Sequence, residues 1–403
     1  MAGALAGIKI VDLTAVILGP YALQLLADQG ADIVKIEPPE GEVLRHLGAS
    51  RNNRAMGPLH LAVNRNKRSL AMDLKRPEAR AALLKLIEGA DAFVHALRPR
   101  AIAALGLDYE DLRKVNPEIV YACAYGYGAD GLYGDRPAYD DVIQAMCGVA
   151  ALNGAQDGVP KYAPTIIADK VTGLTLAYGI LNGLIHKLRT GKGQKIEVPM
   201  FETMVQFVMV EHLNDRTFDP QHGHAGYPRV LARNRKPYRT KDGWACIMPY
   251  NDKHWLSFFA LAGRQDLAAD ARFSDITRRT ANIAALYDEV EKMAVTRTTA
   301  EWLELLEGAQ IPCAPVNGLD DLFDDPHLKA VGLFTELEHP SEGRIAAVRP
   351  PVNFSATPSE LARPAPLVGQ HSREVLREAG LAAEQVERLI AERIVVQADK
   401  AGS

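Results

Sequence analysis

A carboxylate at the start of a glycine-bearing helix is the first residue in this sequence with the makings of chemistry. Asp169 stands in Ala168-Asp169-Lys170-Val171-Thr172-Gly173, where a helical pattern opens. Two readings fit it. An Asp at a helix start is a cap, its oxygens accepting from the free N–H groups of the first turn. The position also suits a nucleophile, because the helix dipole favours the charge and the backbone holds the carboxylate in one orientation. Gly173, Gly179 and Gly183 follow on the same helix. Each costs about 1 kcal/mol against Ala, so either a ligand or another backbone comes close there, or the helix packs tightly.

The second feature is a basic stretch. Arg51, Arg54, Arg65, Lys67, Arg68, Lys75 and Arg76 face a single acid, Asp73, in a chain of net charge -4. Such an island suits a polyanion, for instance a nucleotide with several phosphates; it also fits a solvated surface. Other signals are weak. The eleven histidines never form HExxH or a comparable pair, so no metal is expected. Gly126 and Gly128 follow a strand-like run, but the GxGxxG fingerprint is incomplete, and no GxSxG elbow occurs.

These residues need elements to hold them. Ile8 to Leu13 and Asp32 to Glu37 read as strands, with a helix between them that starts near Pro20 and stops at Gly30. So short an interval asks for a crossover helix between parallel strands. The pattern repeats, with strands at Arg68 to Leu74, Asp91 to His95 and Ile119 to Tyr125 and a helix from Pro77 to Gly89. A long helix runs from Val171 to Leu188. An irregular stretch over 221–236 and a hairpin from Pro237 to Met248 come next. Helices at Trp255 to Ala262 and Ala281 to Glu307, a strand at Ile311 to Val316 and helical Ser372 to Arg393 complete the chain. The expected architecture is α/β: a large Rossmann-like domain over 1–224, a smaller α+β domain over 225–330, and a return to the large domain over 331–403.

Length and composition agree. The 403 residues, 47% hydrophobic and 24% charged, suit a soluble protein of two domains. No run approaches the roughly 18 apolar residues of a membrane helix, and Met1 to Ile10 lacks the pattern of a signal peptide. Cys123, Cys147, Cys246 and Cys313 are widely spaced, as free thiols in a reducing cytoplasm would be. The net negative charge argues against bulk nucleic-acid binding.

The motifs, taken in order, resemble those of class III CoA-transferases, whose members include formyl-CoA and carnitine CoA-transferases. The likeness begins with Gly7-Ile8-Lys9-Ile10-Val11-Asp12-Leu13-Thr14, Gly19-Pro20 and Leu26-Ala27-Asp28-Gln29-Gly30-Ala31-Asp32-Ile33-Val34-Lys35-Ile36-Glu37-Pro38-Pro39. It runs on through Asn66-Lys67-Arg68-Ser69, Gly106-Leu107-Asp108-Tyr109, Asn116-Pro117, Arg136-Pro137-Ala138-Tyr139-Asp140 and Thr190-Gly191-Lys192-Gly193-Gln194. Asp242-Gly243-Trp244, Ile311-Pro312-Cys313-Ala314-Pro315-Val316 and Pro366-Leu367-Val368-Gly369-Gln370-His371 complete it. The resemblance implies that Asp169 attacks an acyl-CoA thioester and passes through a mixed anhydride to an aspartyl-CoA thioester. The donor would be succinyl-CoA or similar, and the acceptor a small carboxylic or dicarboxylic acid. Coenzyme A is then a substrate, with no prosthetic group. By position, Ile17, Leu18, Met72, Asp73, Leu74, Lys75, Leu97, Arg98, Tyr139 and Asp140 match the family's CoA-contacting segments. The family also forms interlocked ring-like homodimers, and a cytoplasmic location is expected.

The chain departs from the family in places. Pro38 and Ala96 stand where many members carry Arg and Asn, so Arg45 or Arg98 would take over a phosphate. The covering glycine-rich loop is not recognisable. Arg233, Arg235, Lys236 and Arg239 form a basic stretch instead, to meet a second carboxylate on the acyl group or simply to face water. An α-methylacyl-CoA racemase is one alternative, but it needs a second acid–base group. This chain has Tyr139 before Asp140 and Ile247-Met248-Pro249-Tyr250 at the two places where the racemase carries its histidine and its glutamate. A non-catalytic CoA-binding protein is the other alternative.

Overall fold

The computed structural model describes residues 3–398. Among the described residues, twelve strands form three sheets: β1 Lys9–Leu13, β2 Asp32–Glu37, β3 Lys67–Met72, β4 Ala92–His95, β5 Val120–Tyr125, β6 Lys195–Pro199, β7 Tyr238–Arg239, β8 Trp244–Ile247, β9 Cys313–Pro315, β10 Phe334–His339, β11 Gly343–Val348 and β12 Val395–Val396. The central sheet has the order β12-β3-β2-β1-β4-β5-β6. All its neighbours pair parallel except β12, which closes the β3 edge antiparallel at Val395↔Met72. The order of the six parallel strands is that of dinucleotide-binding folds, and it reverses between β1 and β4.

Alternation along the strands sends side chains to two faces. Val11, Leu70, Phe93 and Tyr121 join a core built on helices Pro77–Glu88, Tyr109–Val115, Ser372–Glu378 and Ala383–Ala391. The opposite face is covered by helices Leu18–Ala27 and Ile167–Thr190, which pack on each other. The chain divides into two compact units. One comprises 1–147, 163–207 and 329–403, and the other 148–162 and 208–328. The first unit ends in the β10–β11 hairpin and β12. The second holds the antiparallel sheet β7-β8-β9 and helices Asp252–Leu261, Ile283–Ala294 and Thr299–Gly308, around Phe258, Leu286, Val290 and Trp302. No helix among the described residues is long and apolar enough to cross a membrane.

Among the boundaries that differ from the sequence reading, two concern the helices around Thr298 and Asp169. The helix expected from Ala281 to Glu307 is two helices, because Thr298 starts a new one. Its Oγ1 accepts from the Glu301 N–H at 3.3 Å, while the Glu301 carboxylate accepts from the Thr298 N–H at 2.7 Å, a reciprocal capping box. The Asp169 helix begins at Ile167, so Asp169 lies inside its first turn and Ile166 is the cap residue.

Candidate active site

The loop after β1 is held by a set of buried hydrogen bonds. Asp12 Oδ1 accepts from both the backbone N–H and the hydroxyl of Thr14, at 2.8 and 2.6 Å. Lys35 Nζ donates to the Thr14 carbonyl at 2.9 Å, and Glu42 Oε2 accepts from the Val16 N–H at 2.9 Å. Val16 sits at φ 64, a left-handed conformation that a β-branched residue adopts only when its surroundings impose it. The charges that impose it are buried. Lys35 lies 3.2 Å from Glu42, and Lys67 lies 3.2 Å from Asp12. Burial alone would raise the Glu42 carboxyl, but Lys35 and its hydrogen bonds win and hold it down at about 2. Burial lowers Lys67 to about 8 against the pull of Asp12, and His60 to about 4, so the imidazole is neutral.

Ile17 and Leu18 follow this loop and are buried, Leu18 opening the helix Leu18–Ala27. They meet the Asp169 helix one turn beyond Asp169. A Cβ on Gly173 would stand 2.8 Å from the Leu18 carbonyl oxygen and 3.1 Å from the Tyr21 ring. Gly183 is as tight against Val120 and Ile196, and Gly179 against Ile196. Close packing therefore accounts for all three glycines. Gly173→Ala should lower the melting temperature by several degrees and cut activity, because the helix-propensity gain of about 1 kcal/mol is outweighed by an overpacking cost of about 1–3 kcal/mol. A thermal melt with an activity assay checks this. A variant as stable and active as wild type would refute the close approach.

Asp169 is positioned from beneath by the helix Asp140–Met146. Its backbone N–H donates to Asp140 Oδ1 at 3.0 Å, and Asp140 Oδ2 accepts from Gln144 Nε2 at 2.5 Å. Gln144 Oε1 takes the Ala163 N–H at 2.8 Å, fixing the segment that leads into the Asp169 helix. Gln144 was not singled out from the sequence, although its i,i+4 spacing from Asp140 is the signal that would have found it. The Asp169 carboxylate accepts no hydrogen bond among the described residues, so it caps nothing. Half-buried, with the charge of Asp140 nearby, its carboxyl is pushed up to about 7, by burial first and by Asp140 second. The helix dipole acts the other way, but is worth only about 0.3–1 kcal/mol.

The remaining expected contacts follow the carboxyl ends of the parallel strands. Asp73, Leu74 and Lys75 leave β3, pinned by the Asp73 N–H to the Ile394 carbonyl at 2.9 Å and by the Lys75 N–H to Asp73 Oδ1 at 3.0 Å. Leu97 and Arg98 leave β4, and Arg98 donates to the Asp135 carbonyl at 3.2 Å, in the loop that ends at Tyr139 and Asp140. Tyr139 is 71% exposed at the start of the Asp140 helix. The Asp169 helix must begin at this same edge, since it runs back to the start of β6, with Lys187 near its end paired to Asp91 ahead of β4 at 3.0 Å.

Three expectations are corrected. Arg45 is fully buried and its guanidinium is already committed, with two 2.7 Å bonds to Glu37 and one of 3.0 Å to the Pro366 carbonyl. It is a structural ion pair, buried where a phosphate does not reach it. The Met72 side chain belongs to the apolar core, so only its backbone is left to meet a ligand. Three of the seven cations in the basic island are internal as well. Arg65 pairs with Asp28 at 2.7 Å, Lys67 with Asp12, and Arg68 with Asp32, Glu374 and Glu378. Arg51 donates to the Glu342 carbonyl at 2.9 Å. Only Arg54, Lys75 and Arg76 of the seven face water without a buried partner.

A family model described as CoA-transferase family III matches residues 5–372. A succinyl-CoA:mesaconate CoA-transferase of Haloarcula hispanica is 33% identical over 94% of this chain and 97% of its own length. A succinyl-CoA:glutarate CoA-transferase of Homo sapiens is 32% identical over 93% of this chain and 85% of its own. The crystal structure of a CAIB/BAIF family protein from Brucella suis superposes with a TM-score of 0.80 at 30% identity, covering 94% of this chain and 100% of that one.

Proposed function

The chain belongs to CoA-transferase family III, and from that membership we propose that it moves coenzyme A from an acyl-CoA, such as succinyl-CoA, to a small carboxylic or dicarboxylic acid through a thioester on Asp169. The observation that carries this reading is the placement of Asp169: a half-buried carboxylate at the carboxyl edge of the sheet with no hydrogen-bond donor among the described residues, which burial and Asp140 push up to about 7. Such a group is poorly solvated and more basic than an ordinary carboxylate, which is what a nucleophile requires. The dicarboxylate preference is supported by the relatives named for transfer between succinyl-CoA and glutarate or mesaconate.

In the proposed course, the Asp169 carboxylate attacks the thioester carbonyl and expels CoA thiolate, leaving a mixed anhydride. The thiolate then attacks the Asp169 carbonyl and releases the donor acid, forming the aspartyl-CoA thioester. The acceptor carboxylate displaces the thiolate in turn, and the thiolate takes the acceptor acyl group, restoring Asp169. Each exchange passes the activated acyl bond on rather than losing it to hydrolysis, and splits one difficult transfer into easier steps, provided water is excluded.

The CoA itself would lie along the loops after β1 and β4, where strand order reverses and ligands of such sheets bind, and extend to the loop after β3 on the same edge. Ile17 and Leu18 offer backbone there, as do Met72 to Lys75 and Leu97. Lys75, Arg76 and Arg98 are the exposed cations left for the phosphates, in place of Arg45. The same reading includes an interlocked cytoplasmic homodimer. An exposed apolar stripe on the Asp169 helix, Leu174, Tyr178, Ile185 and Leu188, supports a covering partner.

Intact-mass measurement after mixing with succinyl-CoA tests the mechanism. A CoA-sized adduct, converted by hydroxylamine to a hydroxamate at Asp169, is the expected result. No adduct with any acyl-CoA, together with exchange of an α-proton in D2O, would replace the transferase by a racemase.

A further inference from the structure

The smaller unit contains a cavity of about 250 Å³ that no carboxylate lines. Its floor is apolar and aromatic, formed by buried Tyr238, Ile247, Trp255 and Tyr287. Three cations stand at it: Arg229, Arg235 and Lys236. Lys236 is neutralised by Glu291 at 2.9 Å. The other two are not. Arg229 is fixed by neutral groups only, its Nε donating to the Tyr287 hydroxyl at 3.4 Å and its guanidinium lying 4.9 Å from the centre of the Tyr250 ring. The Arg235 backbone is pinned, its N–H bonded to the Ala232 carbonyl at 3.0 Å and its carbonyl accepting from Gln156 at 3.1 Å. Its guanidinium has no acidic partner among the described residues.

Two uncompensated guanidinium groups over an apolar floor are complementary to an anion with a short hydrocarbon body. Arginine forks match a carboxylate in a bidentate way, and the aromatic floor removes methylene groups from water. The cavity falls below the roughly 300–1,000 Å³ typical of drug-sized ligands, so the body is a few carbons long. We propose that this pocket binds one end of a small dicarboxylate, with that carboxylate on Arg229 and Arg235 and the carbon chain against Trp255 and Tyr287. The assignment of the ligand as a transferable acid rests on the transferase reading above. It also revises the sequence expectation for the basic stretch. Arg235 and Lys236 line the pocket; Arg239 instead lies over the Trp244 ring, 5.6 Å from its centre.

Cys246 lines the same pocket and is exposed, whereas Cys123 and Cys147 are buried. It is a built-in reporter. The full-length protein is alkylated with iodoacetamide under increasing glutarate, and modification of Cys246 is read by peptide mass. Glutarate should slow the labelling of Cys246 while leaving Cys313 unchanged, and Arg235→Gln should raise the half-protecting concentration at least tenfold. Because Arg235 is exposed, that variant leaves the fold intact. The proposal is overturned if glutarate gives no protection, if butyrate or inorganic phosphate protects equally well, or if Arg235→Gln protects like wild type. The CoA adduct is measured on the same wild-type preparation with succinyl-CoA. An adduct without protection defeats the pocket alone; protection without an adduct defeats the transferase reading alone.

Discussion

Asp169→Asn should abolish CoA transfer, by roughly 10⁴-fold or more as for other lost nucleophiles, and yet melt at a higher temperature than wild type at pH 8. The two effects share one cause. Burial and Asp140 disfavour the charged carboxylate that the reaction needs, so its pKa is raised to about 7 in the folded chain against an ordinary value of 3.8. A raised folded pKa contributes stability only while the group is protonated in both states. That contribution is complete below about pH 4 and is lost as the pH climbs through 7. Above pH 7 the wild type therefore holds a charge its site disfavours, and the neutral amide relieves it. One pKa unit is worth about 1.4 kcal/mol in a dry site. Partial exposure of Asp169 screens this, so a gain of a few degrees at pH 8 is expected, shrinking to nothing near pH 4. Melting curves at the two pH values check it. An inactive Asn variant whose melting advantage over wild type is no larger at pH 8 than at pH 4 would mean that Asp169 carries no such strain.

That strain was invisible in the sequence, although Asp169 itself was not. The strand runs at Ile8 to Leu13 and Asp32 to Glu37, with Pro20 and Gly30 bracketing a helix between them, gave the β1–β2 unit directly because local propensity and periodicity agree there. What failed depended on distant partners. Seven cations between Arg51 and Arg76 read as one island in one dimension. In three dimensions Arg68 meets Asp32, Glu374 and Glu378, and the last two come from the far end of the chain. Arg45 failed for the same reason, its partners being Glu37 and the Pro366 carbonyl. Thr298-x-x-Glu301 was a readable capping box inside what looked like one continuous helix, a local signal masked by an apolar pattern that continues on both sides. The strained φ of Val16 had no sequence signature at all. A valine there looks ordinary until Glu42, some 26 residues on, is seen to hold its N–H.

The pH profile separates the two causes of the Asp169 shift. With a carboxyl near 7, kcat/KM should fall about tenfold per pH unit below neutrality, because only the ionised form attacks. Asp140→Asn keeps an oxygen to accept the Asp169 N–H at the present 3.0 Å position but deletes the second charge. The acid limb should then move to lower pH, while the larger part of the shift, set by burial, stays. The movement should be less than the full distance back to the ordinary carboxylate range. Rate at high pH should also drop modestly, since a less basic carboxylate is a poorer nucleophile. A limb that stays at pH 7 in the variant would assign the shift to burial alone and leave Asp140 a purely positioning role. A limb that moves to higher pH would contradict the electrostatics outright, because removing a neighbouring negative charge can only ease ionisation.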